Sequence, residues 1–156
     1  MRPLRFTRHL VGALLTLAAC ASHAADGVSA SQILIGQTLT LQGGKNEYGA
    51  AVRAGVEAAV EQVNRSGGVA GRRLVFKVLD DDNQPERAEA NARQLVGQDK
   101  VLLLFGSIEG GPSTAVMKAA LELKVPFFGP MAGSPTLRVP HQPLVFPVRA
   151  EHKDEF

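Results

Sequence analysis

Two periodicities of apolar residues alternate along this chain. "QILIGQTLTL" (Gln32 to Leu41) is an aliphatic, β-rich run and predicts a first strand. A loop rich in turn residues, "QGGKNEYG", follows it. In "AAVRAGVEAAVEQVN" the apolar residues Val52, Val56, Ala59, Val60 and Val63 recur at helical spacing and form one stripe. Asn64 and "SGG" stop that helix, with Gly67 or Gly68 suited to a left-handed cap. "RRLVFKVL" predicts the second strand and ends at "DDDNQP", where Pro85 suits the first turn of a helix. That helix, "ERAEANARQLVGQ", turns Ala88, Ala92, Leu95 and Val96 inward. "VLLLFG" is a third strand, apolar throughout as a strand covered on both faces should be. "PSTAVMKAALELK" reads as the third helix, and "VPFFGP" and "PLVFPV" as the fourth and fifth strands.

The order β-α-β-α-β-α-β-loop-β predicts an α/β fold, a doubly wound parallel sheet. Ligands bind such sheets at the carboxyl ends of the strands. The loops expected there are "TLQGGKNEYG", "DDDNQP", "GSIEGGPST" and "GPMAGSPTL". All are rich in glycine, small or hydroxyl residues, whose backbone N–H groups at helix starts favour anions such as a carboxylate.

The first residues lie outside this pattern. Arg2, Arg5 and Arg8 precede the apolar run "LVGALLTLAA" and the small residues of "CASHAADG". This is the plan of a secretory signal peptide over residues 1–24, and the run is far short of the ~20 residues that span a bilayer. Two processing sites compete. Cleavage after Ala24 would free the chain, whereas "LAAC" resembles a lipobox that would leave a lipid on Cys20. Cys20 is the single cysteine, so no intramolecular disulfide forms. Setting the three leader arginines aside changes 17 basic against 15 acidic residues into 14 against 15, about −1. No basic cluster remains to suit nucleic acid. The expected mature chain, about 130 residues, is one domain by length.

Several chemistries lack their residues. No Lys follows the glycines as a phosphate-binding P-loop requires, and "GGKNEYG" has the wrong spacing for a dinucleotide fingerprint. "GPSTA" approaches a nucleophile elbow, but Ser113 falls several residues beyond the strand, and its bland reading is a helix cap. "DDDN" lacks the spacing of a calcium loop and reads as a solvated turn with side-chain-to-backbone bonds. "NRS" (Asn64 to Ser66) matches a glycosylation sequon but reads as turn chemistry. No metal or cofactor is expected.

"GGKNEYGAAVRAGVEAAVEQVNRSGGVAGRRLVFKVLDDDNQP" resembles the first lobe of the periplasmic leucine/isoleucine/valine-binding proteins, the substrate-binding components of branched-chain amino-acid ABC transporters. The ordered set is Tyr-Gly before a helix, N-x-x-G-G-[IV]-x-G-x-x-L, and D-D-x-x-x-P, continued by "VPFFGPMAGSPTL" and "VFPVRAEHKDEF". The resemblance implies two α/β lobes that close over a ligand, no enzymatic role, a periplasmic monomer and an inner-membrane permease as partner. It implies that Tyr48 lines the pocket. Ser107 and the stretch Gly110, Gly111, Ser113 and Thr114 would offer N–H groups and hydroxyls to a carboxylate. Met131, Ala132 and Gly133 would offer backbone groups, and Ser134 a hydroxyl. Where the family has a small-small-Thr triplet, this chain has Met131-Ala132-Gly133, and Glu109 stands in the third loop. An amide, an aromatic acid or another small solute therefore stands beside a branched-chain amino acid as the expected ligand. The chain ends at Phe156, where the family crosses into its second lobe, so a fragment of a two-lobe protein is expected. A ligand-sensing module with the same fold is the alternative reading, and a small hydrolase the third.

Overall fold

The computed structural model describes residues 25–42 and 46–155. The leader and Cys20, and residues 43–45 of the first loop, lie outside the described residues. Five strands run β1 (Gln32–Leu39), β2 (Arg73–Asp80), β3 (Leu104–Phe105), β4 (Phe127–Phe128) and β5 (Val145–Phe146). They form one sheet in the order β2-β1-β3-β4-β5, and every pair is parallel. Three helices join them: α1 (Asn46–Arg65), α2 (Pro85–Gly97) and α3 (Gly110–Leu123). The expected α/β parallel sheet is therefore the one observed. Reversal of strand order between β1 and β3 creates the switch point at which such sheets open a crevice.

β1 and β2 pair in register from Gln32 with Arg73 to Leu39 with Asp80. The last three strands are shorter than their apolar runs predict, although backbone bonds flank them, such as Leu102 N–H to the Leu34 carbonyl (2.9 Å) and Gly36 N–H to the Leu103 carbonyl (3.0 Å). α1 starts four residues earlier than the predicted helix segment at Ala50, so the expected loop residues Asn46 to Gly49 form its first turn.

α2 and α3 cover one face of the sheet. Ala88, Ala92 and Leu95 of α2 meet Val116, Ala119 and Ala120 of α3 over Leu104 and Phe127, all buried. Small residues on both helices let the two axes approach closely. α1 covers the other face only in part. Val56, Val60 and Val63 are half-buried and Ala59 is exposed, so the predicted stripe is less covered than expected. Beside it the rings of Phe76, Phe105, Phe128 and Phe146 form a row, with centroids 5.4, 6.2 and 6.3 Å apart. Phe128 and Phe146 remain 49% and 47% exposed.

Polar ties fix the ends of the elements. Asn64 at the end of α1 donates from Nδ2 to the Leu74 carbonyl (2.9 Å) and accepts the Leu74 N–H (2.8 Å). The sequon asparagine thus joins α1 to β2. At the other end, Asp81 is wholly buried rather than solvated. It accepts from the Thr40 hydroxyl (2.7 Å), the Thr38 hydroxyl (3.1 Å) and the Asn83 N–H (3.0 Å). The last of these is the expected Asx turn.

α1 reaches the sheet through a glycine. A Cβ at Gly49 would lie 1.7 Å from the Thr40 carbonyl oxygen, whereas a Cβ at Gly55 would meet nothing within 4 Å. Gly49→Ala should therefore cost about 1–3 kcal/mol by forcing α1 off the sheet. Gly55→Ala should add about 0.5–1 kcal/mol by removing backbone freedom from the unfolded chain. Urea unfolding of the two variants beside the parent checks both signs.

Candidate functional site

The carboxyl ends of β1, β3, β4 and β5 surround a cleft of about 530 Å³. Its size falls within the several hundred Å³ usual for a small-ligand site. Each wall comes from the segment that follows one strand. Tyr48 and Val52 come from the start of α1; Ile108, Glu109 and Gly110 from the β3–α3 connection. Met131, Ala132 and Gly133 follow β4, and Arg149 and His152 follow β5.

The expected residues divide. Tyr48, Gly110, Met131, Ala132 and Gly133 line the cleft together. Ser107, Gly111, Ser113, Thr114 and Ser134 are not among its lining residues. Ser107 and Ser113 are fully buried, and their hydroxyls have no hydrogen-bond partner among the described residues. Ser113 neither caps α3 nor stands at an exposed elbow: Glu109 is the N-cap residue, and the Ser113 N–H donates to its carbonyl (2.9 Å). The Thr114 hydroxyl donates to the Gly110 carbonyl (2.8 Å) and meets the Thr136 hydroxyl (3.0 Å), which also meets Ser134 (2.8 Å). The Thr114, Thr136 and Ser134 hydroxyls thus join the start of α3 to the segment after β4.

Glu109 makes no side-chain cap bond at the start of α3. The first N–H groups of this 14-residue helix begin at Gly110, on the cleft wall. Below, Gly106 takes a left-handed turn (φ +61°) that only a bare backbone fits comfortably, because a Cβ would lie 2.8 Å from the Gln37 amide nitrogen.

Three wall or support residues are not among the site residues expected from the sequence. Arg138 donates from Nη1 to the Ala132 and Ser134 carbonyls (3.2 and 3.0 Å) and from Nη2 to the Arg149 carbonyl. It ties the segment after β4 to the segment after β5. Arg149 grips Glu155 with two bonds of 2.6 Å, and this holds the Glu155 carboxyl below its usual range. His152 donates its N–H to the Gly133 carbonyl (3.1 Å) and places its ring on the wall. All three act through backbone carbonyls or long-range placement, which leaves no local spacing to read.

Among the described residues no cluster of His, Cys, Asp or Glu could hold a metal ion, and no helix is long and apolar enough to cross a membrane.

Residues 32–155 match the family model described as periplasmic binding protein. The chain is 30% identical over 123 residues to the Leu/Ile/Val-binding protein BraC3 of Rhizobium johnstonii, covering 79% of this chain and 33% of that protein. It is 33% identical to Leu/Ile/Val-binding protein homolog 3 of Brucella melitensis, covering 69% and 29%. Among solved structures, a possible leucine/isoleucine/valine-binding protein from Rhodopirellula baltica superposes with a TM-score of 0.75 at 25% identity, over 86% of this chain and 35% of that one. The branched-chain amino acid transporter substrate binding protein LivJ from Streptococcus pneumoniae, in complex with isoleucine, gives 0.61 at 27% identity, over 67% and 29%. The chain spans about a third of the length of these relatives. They are binding proteins, not enzymes.

The loop after β1 rests on Asp80, which accepts from the Leu41 N–H (2.9 Å) and Gln42 Nε2 (2.5 Å). Burial alone would raise its pKa, but bonds from the Leu41 and Asp82 N–H groups and Gln42, with the nearby Arg87 charge, hold it below the usual 3.8. A carboxyl depressed on folding stabilises above its unfolded pKa, and that contribution disappears as pH falls through the folded value. Asp80→Asn should therefore be less stable than the parent at pH 7, with the gap closing below about pH 4. Thermal unfolding of both proteins between pH 2.5 and 7 measures this.

Proposed function

This chain belongs to the periplasmic binding protein family, and on that premise we propose that it is the first lobe of an exported solute-binding protein of an ABC importer. The ligand is a branched-chain amino acid or a related small carboxylate or amide, passed on to an inner-membrane permease. The observation that carries this reading is the start of α3. Its first N–H groups open at Gly110 onto a cleft at the switch point of a parallel sheet. Such a helix start favours negative charge, as a ligand carboxylate supplies. Tyr48, Val52, Ile108 and Met131 give the same cleft an apolar side suited to an aliphatic or aromatic body.

The printed names of the relatives support an amino acid, and their greater length supports a second lobe. The half-exposed phenylalanine row beside α1 fits a sheet face that further polypeptide of a longer protein would cover. Export to the periplasm rests on the leader pattern in residues 1–24, with release at Ala24 or a lipid at Cys20 as its two outcomes. The mature protein acts as a monomer in this reading.

Calorimetric titration with L-leucine, L-isoleucine, L-valine and their amides tests the proposal. At least one should bind saturably. Tyr48→Ala, which removes a ring 68% exposed at the cleft, should weaken that ligand about 10-fold, the loss of ~1.4 kcal/mol of contact. No binding by any of the six, or a Tyr48→Ala variant as tight as the parent, contradicts it.

A further inference from the structure

Gly133 and His152 share one space. Gly133 is buried, and a Cβ there would lie 2.3 Å from His152 Cδ2 and 2.7 Å from its Nε2. The contact is with the ring, and the two residues are also joined by the His152 N–H to Gly133 carbonyl bond (3.1 Å). The bare backbone at 133 is thus the seat of an imidazole that belongs to a segment 19 positions later. The ring stays exposed, and it lines the cleft beside Ala132 and Gly133. Neither of those two residues brings a polar side chain to this wall. Among the described residues that follow β4 and β5 on the cleft wall, the imidazole and the Arg149 guanidinium are the hydrogen-bond donors, and Glu155 already engages the guanidinium; the Tyr48 hydroxyl comes from the start of α1. Glu109 stands on the cleft wall as an acid.

We propose that His152 is a specificity-determining residue of this cleft. Its imidazole, seated on Gly133, supplies the polar side-chain contact to the ligand's carboxylate head on the wall formed after β4. The role rests on the ligand-binding reading of the cleft. A ligand head lying on the Ala132–Gly133 backbone must meet the ring edge, whose N–H is a donor that suits a carboxylate and is used less well by an amide. Glycine at 133 is then a requirement of the site: any side chain there displaces the ring.

Two measurements on the 156-residue chain test this together. The first is a stability cycle. Gly133→Ala should lower the melting temperature in the parent and cost much less in a His152→Ala background, because the atoms it would strike are gone. Equal costs in the two backgrounds overturn the shared seat. The second is titration with L-leucine and L-leucinamide. The parent should prefer the carboxylate, and His152→Ala should reduce that preference about 10-fold, the share of one charge-assisted hydrogen bond. A parent that binds both probes while His152→Ala keeps the same preference overturns the role of His152 alone. A parent that binds neither overturns the cleft reading, and the role of His152 with it.

Discussion

The buried Asp81 carboxylate is the constraint on which the rest of the molecule depends. A parallel sheet has no hairpin turns, so nothing local sets how its carboxyl-end loops leave the strands. Here one ionisable side chain takes hydrogen bonds from Thr38 of β1 and from Thr40 just beyond its end, and turns the chain after β2 through Asn83. A carboxylate held away from water is tolerated only when its oxygens are satisfied, and these are. Thr40, fixed by that bond, offers its carbonyl surface to Gly49, and Gly49 sets the first turn of α1. Tyr48 is the next residue. The position of a cleft ring therefore follows from a carboxylate just beyond the end of the neighbouring strand.

The opposite wall is fixed by a different device. The segments after β4 and β5 have little regular structure of their own, and Arg138 joins them by bonds to the Ala132, Ser134 and Arg149 carbonyls. A guanidinium suits this because it directs several donors from one rigid plane. Between the two walls, α3 presents its start to the cleft, backed by the packed core it shares with α2. The cleft is thus assembled from chain ends, each held by a polar contact, over a sheet held by apolar ones.

The element order, the parallel sheet and the inward residues of α2 were legible because each rests on local period: Ala88, Ala92 and Leu95 announce themselves by spacing. The cleft was legible only in part. Tyr48, Gly110 and Met131 to Gly133 follow from the rule that loops at carboxyl ends meet, with the family resemblance choosing among them. Ser113 and Ser107 fall outside the cleft lining, because a hydroxyl near glycines looks available in sequence and only packing decides that both are buried. Asp81 misled in the opposite direction, since an acidic run looks solvated. Arg138, Arg149 and His152 had no role readable from the sequence, although "VFPVRAEHKDEF" carries the last two within the family resemblance. Their partners lie on another segment or, for Arg149 and Glu155, across a 3-10 turn that no period announces.

In our proposal the carboxyl ends of β1, β3, β4 and β5 bind a small carboxylate. The most direct measurement is the movement of backbone amide resonances of the isotopically labelled chain as L-leucine is added. The account predicts saturable shifts at Tyr48, Gly110, Ala132, Gly133 and His152, with α2 and the outer face of β2 unmoved. Shifts concentrated on the phenylalanine row beside α1, or none at any concentration, would contradict it.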